Sequence, residues 1–165
     1  MGVRLSEDEA WERVAAAHTG IVTTLRRDGR PVPLPVWFVV IDRMIYLSTP
    51  SKSKKVARIR HDDRASFLVE SGSKWVELAA VILQVRVAEV TDQALRTSVR
   101  TAMDEKYAAF GMPRSEVPSA TTRHYAAPTI LRLEPVESPL SWDNARIRLT
   151  PTNAAHQDDS KEVSP

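Results

Sequence analysis

The chain of 165 residues contains no cysteine, which excludes a disulfide framework, thiolate zinc or iron–sulfur ligation and a cysteine nucleophile. Glycine is scarce, with five in all, and none falls in a Gly-x-x-x-x-Gly-Lys or Gly-x-Gly-x-x-Gly pattern. P-loop and dinucleotide-type phosphate sites are therefore excluded by pattern. Long apolar runs are missing too, since a stretch such as Leu78 to Leu83 is far too short to cross a bilayer. The acidic start, Glu7-Asp8-Glu9, lacks the charge order of a secretory signal, and a cytoplasmic location is expected. Aromatic residues make up 6%, too few for an interleaved nucleic-acid surface, so no nucleic-acid or membrane partner is expected. What remains is 42% apolar and 27% charged residues, the composition of one globular domain.

The net charge of +2 says little until it is located. Residues 151 to 165 are polar, lack aromatics and carry Asp158, Asp159 and Glu162 against Lys161, the composition of a disordered tail beyond a domain of residues 1 to 150. Without that tail the chain holds 22 basic and 18 acidic residues, an excess of four. Ser51 to Arg64 alone contains Lys52, Lys54, Lys55, Arg58, Arg60 and Arg64 against Asp62 and Asp63. One short stretch thus equals the whole surplus of the domain.

Ser6 and Glu9 form a capping-box pattern ahead of the stripe Ala10, Trp11, Val14, Ala15, Ala17, predicting an opening amphipathic helix. From Gly20 the period changes. Ile21 to Leu25, Arg27-Asp28-Gly29 and Val32 to Ile41 read as a β-hairpin with a tight type I′ turn. Pro31, Pro33 and Pro35 remove three amide donors and place the second strand at an edge or rim. Further strands are expected at Met44 to Leu47, Ala65 to Val69, Trp75 to Val90 and Thr129 to Val136. Helices are expected over Ser53 to His61 and from Thr91 or Asp92 to about Phe110. Six strands with turn signals between them and peripheral helices predict a mainly β fold, a small closed or partly closed antiparallel barrel.

Two segments carry candidate chemistry. Ser48-Thr49-Pro50-Ser51-Lys52-Ser53-Lys54-Lys55 leaves a strand and enters a helix, where free amides and the positive end of the dipole favour a phosphate. Ordinary capping by Ser53 with solvated lysines explains the same residues equally well. Pro33-Leu34-Pro35-Val36-Trp37-Phe38 forms a proline-interrupted rim that suits the edge of a planar ring, although Trp37 and Phe38 are equally core candidates. His18, His61, His124 and His156 are isolated and make no metal-ligand spacing, and Asp104-Glu105 reads as solvated charge. Trp75, Trp142 and Tyr125 are candidates for lining a pocket. No side chain stands out as catalytic, which points to a bound cofactor as the source of any chemistry.

Taken in order, Gly20-Ile-Val-Thr-Thr-Leu, Asp28-Gly29-Arg30-Pro31, Pro35-Val36-Trp37-Phe38-Val39-Val40, Ile45-Tyr46-Leu47-Ser48-Thr49, Ser53-Lys54-Lys55-Val56 and Asp62-Asp63-Arg64-Ala65-Ser66-Phe67-Leu68-Val69-Glu70 carry a resemblance. The chain resembles the pyridoxamine-phosphate-oxidase-like split β-barrel superfamily. More narrowly it looks like the flavin and deazaflavin-dependent oxidoreductases of its B group, common in actinobacteria. The match runs over about Ser6 to Asp92, with an echo in Ser141-Trp142-Asp143. The resemblance implies a six-stranded antiparallel split β-barrel, a homodimer and cofactor sites at the subunit interface. It also implies that Ser53, Lys54 and Lys55 hold the cofactor phosphate with Ser48 and Thr49 beside it, and that Pro35, Val36, Trp37 and Phe38 flank the tricyclic ring. The chain departs from the family pattern at Val85, in Val85-Arg86-Val87-Ala88-Glu89, and at Ala79-Ala80, where relatives often carry glycine.

Two cofactors fit these residues. FMN presents one phosphate for Ser53, Lys54 and Lys55. Coenzyme F420 adds a lactate and an oligoglutamate tail, for which Lys52, Arg58 and Arg60 extend the charge. The B-group resemblance favours F420 and hydride transfer to a small conjugated substrate. A split barrel without cofactor, binding a small hydrophobic ligand, is the reading that Val85 and the two alanines motivate.

Overall fold

The structure, a computed structural model, describes residues 3–111, 118–124 and 128–147. The polar tail and Tyr125 lie outside the described residues. The opening helix α1 (Glu7–Ala16) starts at the expected capping box: Ser6 Oγ accepts the Glu9 amide, and the Glu9 carboxylate accepts the Ser6 amide. Arg146 donates to the same carboxylate, and together with the cap bonds it holds the Glu9 pKa down to about 2.

Eight strands follow, β1 (Gly20–Leu25), β2 (Pro31–Val36), β3 (Val39–Ile41), β4 (Met44–Pro50), β5 (Arg64–Ser71), β6 (Ala79–Glu89), β7 (Pro128–Pro135) and β8 (Leu140–Asp143). Helices α2 (Lys54–His61), α3 (Gln93–Tyr107) and α4 (Ser119–His124) interrupt them. The strands form one curled antiparallel sheet in the order β2-β1-β5-β6-β7-β4-β3, with β8 on β6. One side of β6 is divided: Ala79 to Ile82 pair with β8, whereas Val85 to Glu89 pair with β7. That division splits the barrel. No helix among the described residues is long and apolar enough to cross a membrane.

Four details differ from the sequence expectation. The β1–β2 turn is not type I′, because only Gly29 has positive φ (79°), with its amide bonded to the Arg26 carbonyl. The type I′ geometry instead falls on the β3–β4 turn, where Asp42 and Arg43 have φ of 50° and 57°. The strand expected over Val32 to Ile41 divides at Trp37-Phe38, since β2 pairs with β1 and β3 pairs with β4, at opposite ends of the sheet. Trp75–Glu77 is a 3-10 turn before β6, and Leu140–Asp143 adds the eighth strand. The prolines behave as expected: Pro31, Pro33 and Pro35 lie opposite Leu25, Thr23 and Ile21, on an outer strand that no further strand joins among the described residues.

The larger core fills the barrel, with Phe38, Phe67, Ile45, Leu47, Leu83, Leu131 and Leu133 fully buried. Gly20 is required there, because a Cβ would stand 2.2 Å from the Phe67 ring. A smaller core packs α3 on the outer face of β3, β4 and β7 through Val39, Tyr46, Val99 and Ile130. The two cores meet at Tyr107. Its hydroxyl accepts the Phe38 amide (2.9 Å), and its proton serves the carbonyls of Phe38 (2.8 Å) and His18 (2.7 Å). Burial raises the Tyr107 pKa, partly offset by the Phe38 amide bond, so the hydroxyl is neutral at pH 7. Removing it by Tyr107→Phe leaves buried Phe38 backbone groups unpaired, at a cost of about 1–3 kcal/mol, read as a lower urea midpoint with an unchanged m-value.

Candidate functional site

The basic stretch sorts itself on folding into paired and unpaired cations. Helix α2 buries Val56 and Ile59 against the barrel, and its Ser53 cap accepts the Val56 amide at 3.3 Å. Ser53 thus caps as the plain reading expected, and no acidic residue occupies the first turn to offset the dipole. Arg60 turns to Glu89 in a two-pronged contact (2.7 and 3.1 Å), and Arg64 turns to Asp62. Arg60 therefore does not extend a cationic track, because Glu89 on β6 lies within reach of that face of the helix.

The opposite face of α2 presents Lys54, Arg58 and His61 across a cavity of about 320 Å³ to Arg26 and Arg27 of the β1–β2 turn. Arg58 Nε donates to Thr24 Oγ1 at 2.8 Å, and Thr24 is fully buried, so the guanidinium is fixed. Its Nη2 is buried and has no hydrogen-bond partner among the described residues. Among the described residues no carboxylate pairs with Lys54, Lys55, Arg58, Arg26 or Arg27. Burial lowers the Lys55 pKa, with repulsion from Arg58 adding to it, and Arg58 is lowered by burial and then by Arg26. Like charges brought together with partial desolvation and an orphaned donor oppose one another, and an anion placed among them would offset that cost. The cluster fits a phosphate-bearing group.

A second cavity of about 500 Å³ opens between α3 and the outer face of β4 and β7, lined by Trp37, Ser48, Met103, Tyr107 and Ile130. Trp37 is 43% exposed and stacks flat on Tyr107, with centroids 4.3 Å apart and planes within 4°. The residues singled out from sequence are thus distributed. Lys54 and Lys55 belong to the cationic cluster, Trp37 and Ser48 line the α3 cleft, and Thr49 is buried with Oγ1 3.5 Å from Ser53 Oγ. Phe38 offers no side-chain surface to a ligand, because it is fully buried and packs edge-on against Phe67 at 4.8 Å. Pro35 is exposed and Val36 half-buried, and neither lines these cavities. Trp75 and Trp142 lie outside both cavities, exposed on the surface. Val85 faces the barrel core at 2% exposure and Ala79 and Ala80 are buried, so none of these departures from the family pattern lines either cavity.

Sequence reasoning missed Arg26 and Arg27, whose approach to α2 depends on the turn geometry, and Tyr107, whose helix lies far along the chain. The one signal that bore on Tyr107 was its place within the helix expected from Thr91 or Asp92 to about Phe110.

The family model for pyridoxamine 5'-phosphate oxidase matches residues 6–137. The chain belongs to that family. No curated protein matches it. Among solved structures, a conserved hypothetical protein of Mycobacterium tuberculosis, Rv2991, is 26% identical with a TM-score of 0.73, covering 93% of this chain and 97% of that one. An FAD-binding protein of Mesorhizobium loti is 17% identical (TM-score 0.63; 82% and 91% covered). HutZ, the heme storage protein of Vibrio cholerae, is 15% identical (TM-score 0.63; 86% and 96% covered). The mainly β split barrel with peripheral helices is thus an architecture shared with proteins named as FAD-binding and heme storage.

Because its folded-state pKa is lowered, Lys55 binds its proton less firmly in the folded protein than in the unfolded chain. Its contribution to stability therefore rises as pH climbs from that lowered value towards 10.5. Lys55→Met is expected to raise the urea midpoint of the cofactor-free protein at pH 7, with a gain that shrinks as the pH approaches the ordinary lysine range. Inorganic phosphate is expected to raise the wild-type Tm and to lose much of that effect in Lys54→Ala/Lys55→Ala.

Proposed function

We propose that the protein is an oxidoreductase that uses coenzyme F420 at the α2 cation cluster and reduces a small conjugated substrate. The observation that carries this reading is the surplus of unpaired cations around the buried, unpartnered Nη2 of Arg58. Lys54 and Lys55 suffice for one phosphate. Arg58, Arg26 and Arg27 add three more positive charges with no carboxylate opposite them among the described residues, which suits the additional carboxylates of an oligoglutamate tail.

When bound, the reduced deazaflavin supplies hydride to an electrophilic carbon. The chain would contribute binding and orientation: Lys54, Lys55 and the Ser53 hydroxyl would hold the phosphate, with Thr49 beside Ser53, and Pro35, Val36 and Trp37 would flank the ring. No side chain is assigned a proton-transfer role. Fixed orientation in a water-poor site is the protein's share of the rate. FMN is the second reading, supported by the family and by neighbours named as FAD-binding from Mesorhizobium loti and Mycobacterium smegmatis.

A homodimer with cofactor sites at the interface accompanies either reading. It is supported by an apolar outer surface near the split of the sheet, where Trp75, Leu140 and Trp142 are 60%, 50% and 40% exposed beside Leu78, a concentration of apolar area that favours a protein partner over water.

Titration of purified protein with F420 and with FMN, followed by tryptophan quenching, separates the two. Saturable F420 binding is expected, whereas FMN binding without an F420 response overturns the preferred reading. A protein that binds neither is a ligand-binding barrel instead. Lys54→Ala and Lys55→Ala each cost about 1.5–3 kcal/mol per charged hydrogen bond made, for either cofactor. Arg26→Ala/Arg27→Ala is expected to weaken F420 selectively. Leu140→Glu is expected to shift the mass seen by light scattering towards the monomer.

A further inference from the structure

We infer that the α3 cleft is the substrate site and that it selects a planar, conjugated monocarboxylate. The inference rests on the proposed function, which places the reacting ring near Trp37. The cleft, at about 500 Å³, falls in the size range of small-molecule pockets, roughly 300–1,000 Å³. It combines three features that one ligand class satisfies together.

The first is a flat, rigid wall. The indole of Trp37 is held on one face by the parallel Tyr107 ring, and Tyr107 is itself held by its bonds to Phe38 and His18. A stacked surface pre-fixed in this way takes a planar ring with little further loss of freedom. The second is an apolar lining in which Met103 and Pro128 are accessible and Val99 and Ile130 lie buried behind them, which rewards hydrocarbon over polar ring substituents.

The third is the charge. Arg100 lines the cleft and is exposed, and among the described residues it has no ion-pair or hydrogen-bond partner. Arg96, one turn earlier, is by contrast tied to the carbonyls of Val90 and Pro128. A free guanidinium above an apolar, aromatic floor recognises a carboxylate through paired charged hydrogen bonds. Asp104, one turn beyond Arg100, lines the same cleft without pairing to it. Its negative charge opposes a second carboxylate on the ligand, which restricts the class to monoanions.

The test uses the full cofactor-free chain with trans-cinnamate, its uncharged methyl ester and 4-carboxycinnamate as probes, followed by the Trp37 indole N–H signal in NMR spectra, assigned by its loss in Trp37→Phe. Cinnamate is expected to shift that signal saturably and to bind more tightly than the ester. Arg100→Gln is expected to weaken cinnamate about tenfold or more while leaving the ester unchanged, and Arg100→Lys to recover part of the loss. Asp104→Asn is expected to admit the dicarboxylate. Equal affinity for acid and ester, an Arg100→Gln variant that binds cinnamate as the wild type does, or no binding of any probe overturns the proposal. Because the cation cluster lies on α2, F420 binding in the same preparation is read separately. Cofactor binding with failed probe binding rejects the cleft assignment alone, and the reverse result rejects the cofactor reading.

Discussion

The curled sheet depends on a two-residue connection. Strands β2 and β3 form its opposite ends, yet only Trp37 and Phe38 separate them along the chain, so the sheet has to bend until its ends meet. A connection that short takes part in neither strand's ladder, and buried backbone groups without partners are costly. The Tyr107 hydroxyl meets this requirement by bonding both the amide and the carbonyl of Phe38. Phe38 then points into the barrel and Trp37 out of it, and the same tyrosine ring backs the indole. Closure of the barrel and construction of the cleft wall are one event.

The cation cluster shows the opposite economy. Val56 and Ile59 anchor α2 to the barrel, and that packing holds Lys55 and Arg58 where burial and mutual repulsion both disfavour their charge. Fixing Arg58 on Thr24 satisfies one of its nitrogens and leaves Nη2 bare. The apolar packing of α2 therefore offsets an electrostatic cost that an anion bound there would relieve. The surface arginines around it, Arg60 on Glu89 and Arg64 on Asp62, carry no such strain.

Strand β4 presents Ser48 and Thr49 to different surroundings through the period of a strand. Ser48 faces outward into the α3 cleft, and Thr49, the next residue, is buried with its hydroxyl towards Ser53. Adjacent side chains on a strand point to opposite faces, so a single dipeptide contacts the surroundings of both.

The local signals in the sequence were legible because they act over a few residues. The Ser6 capping box, the α2 helix with its Ser53 cap, the edge placement of the proline strand and the excess of charge between Ser51 and Arg64 all follow from spacing and residue type. The break at Trp37-Phe38 was not legible, since Val36 to Ile41 reads as one apolar run, and a strand pattern does not record which neighbour each half will pair with. Nor did spacing separate Arg60 from Arg58. They lie two positions apart on a short helix, and only the packing of Glu89 beside one and Thr24 beside the other decides which is neutralised and which remains available. The sequence by itself determined most of the local elements, the family and the location of the charge. The tertiary structure decided which charges stay unpaired and where the cleft lies, because both depend on contacts between residues distant in the chain.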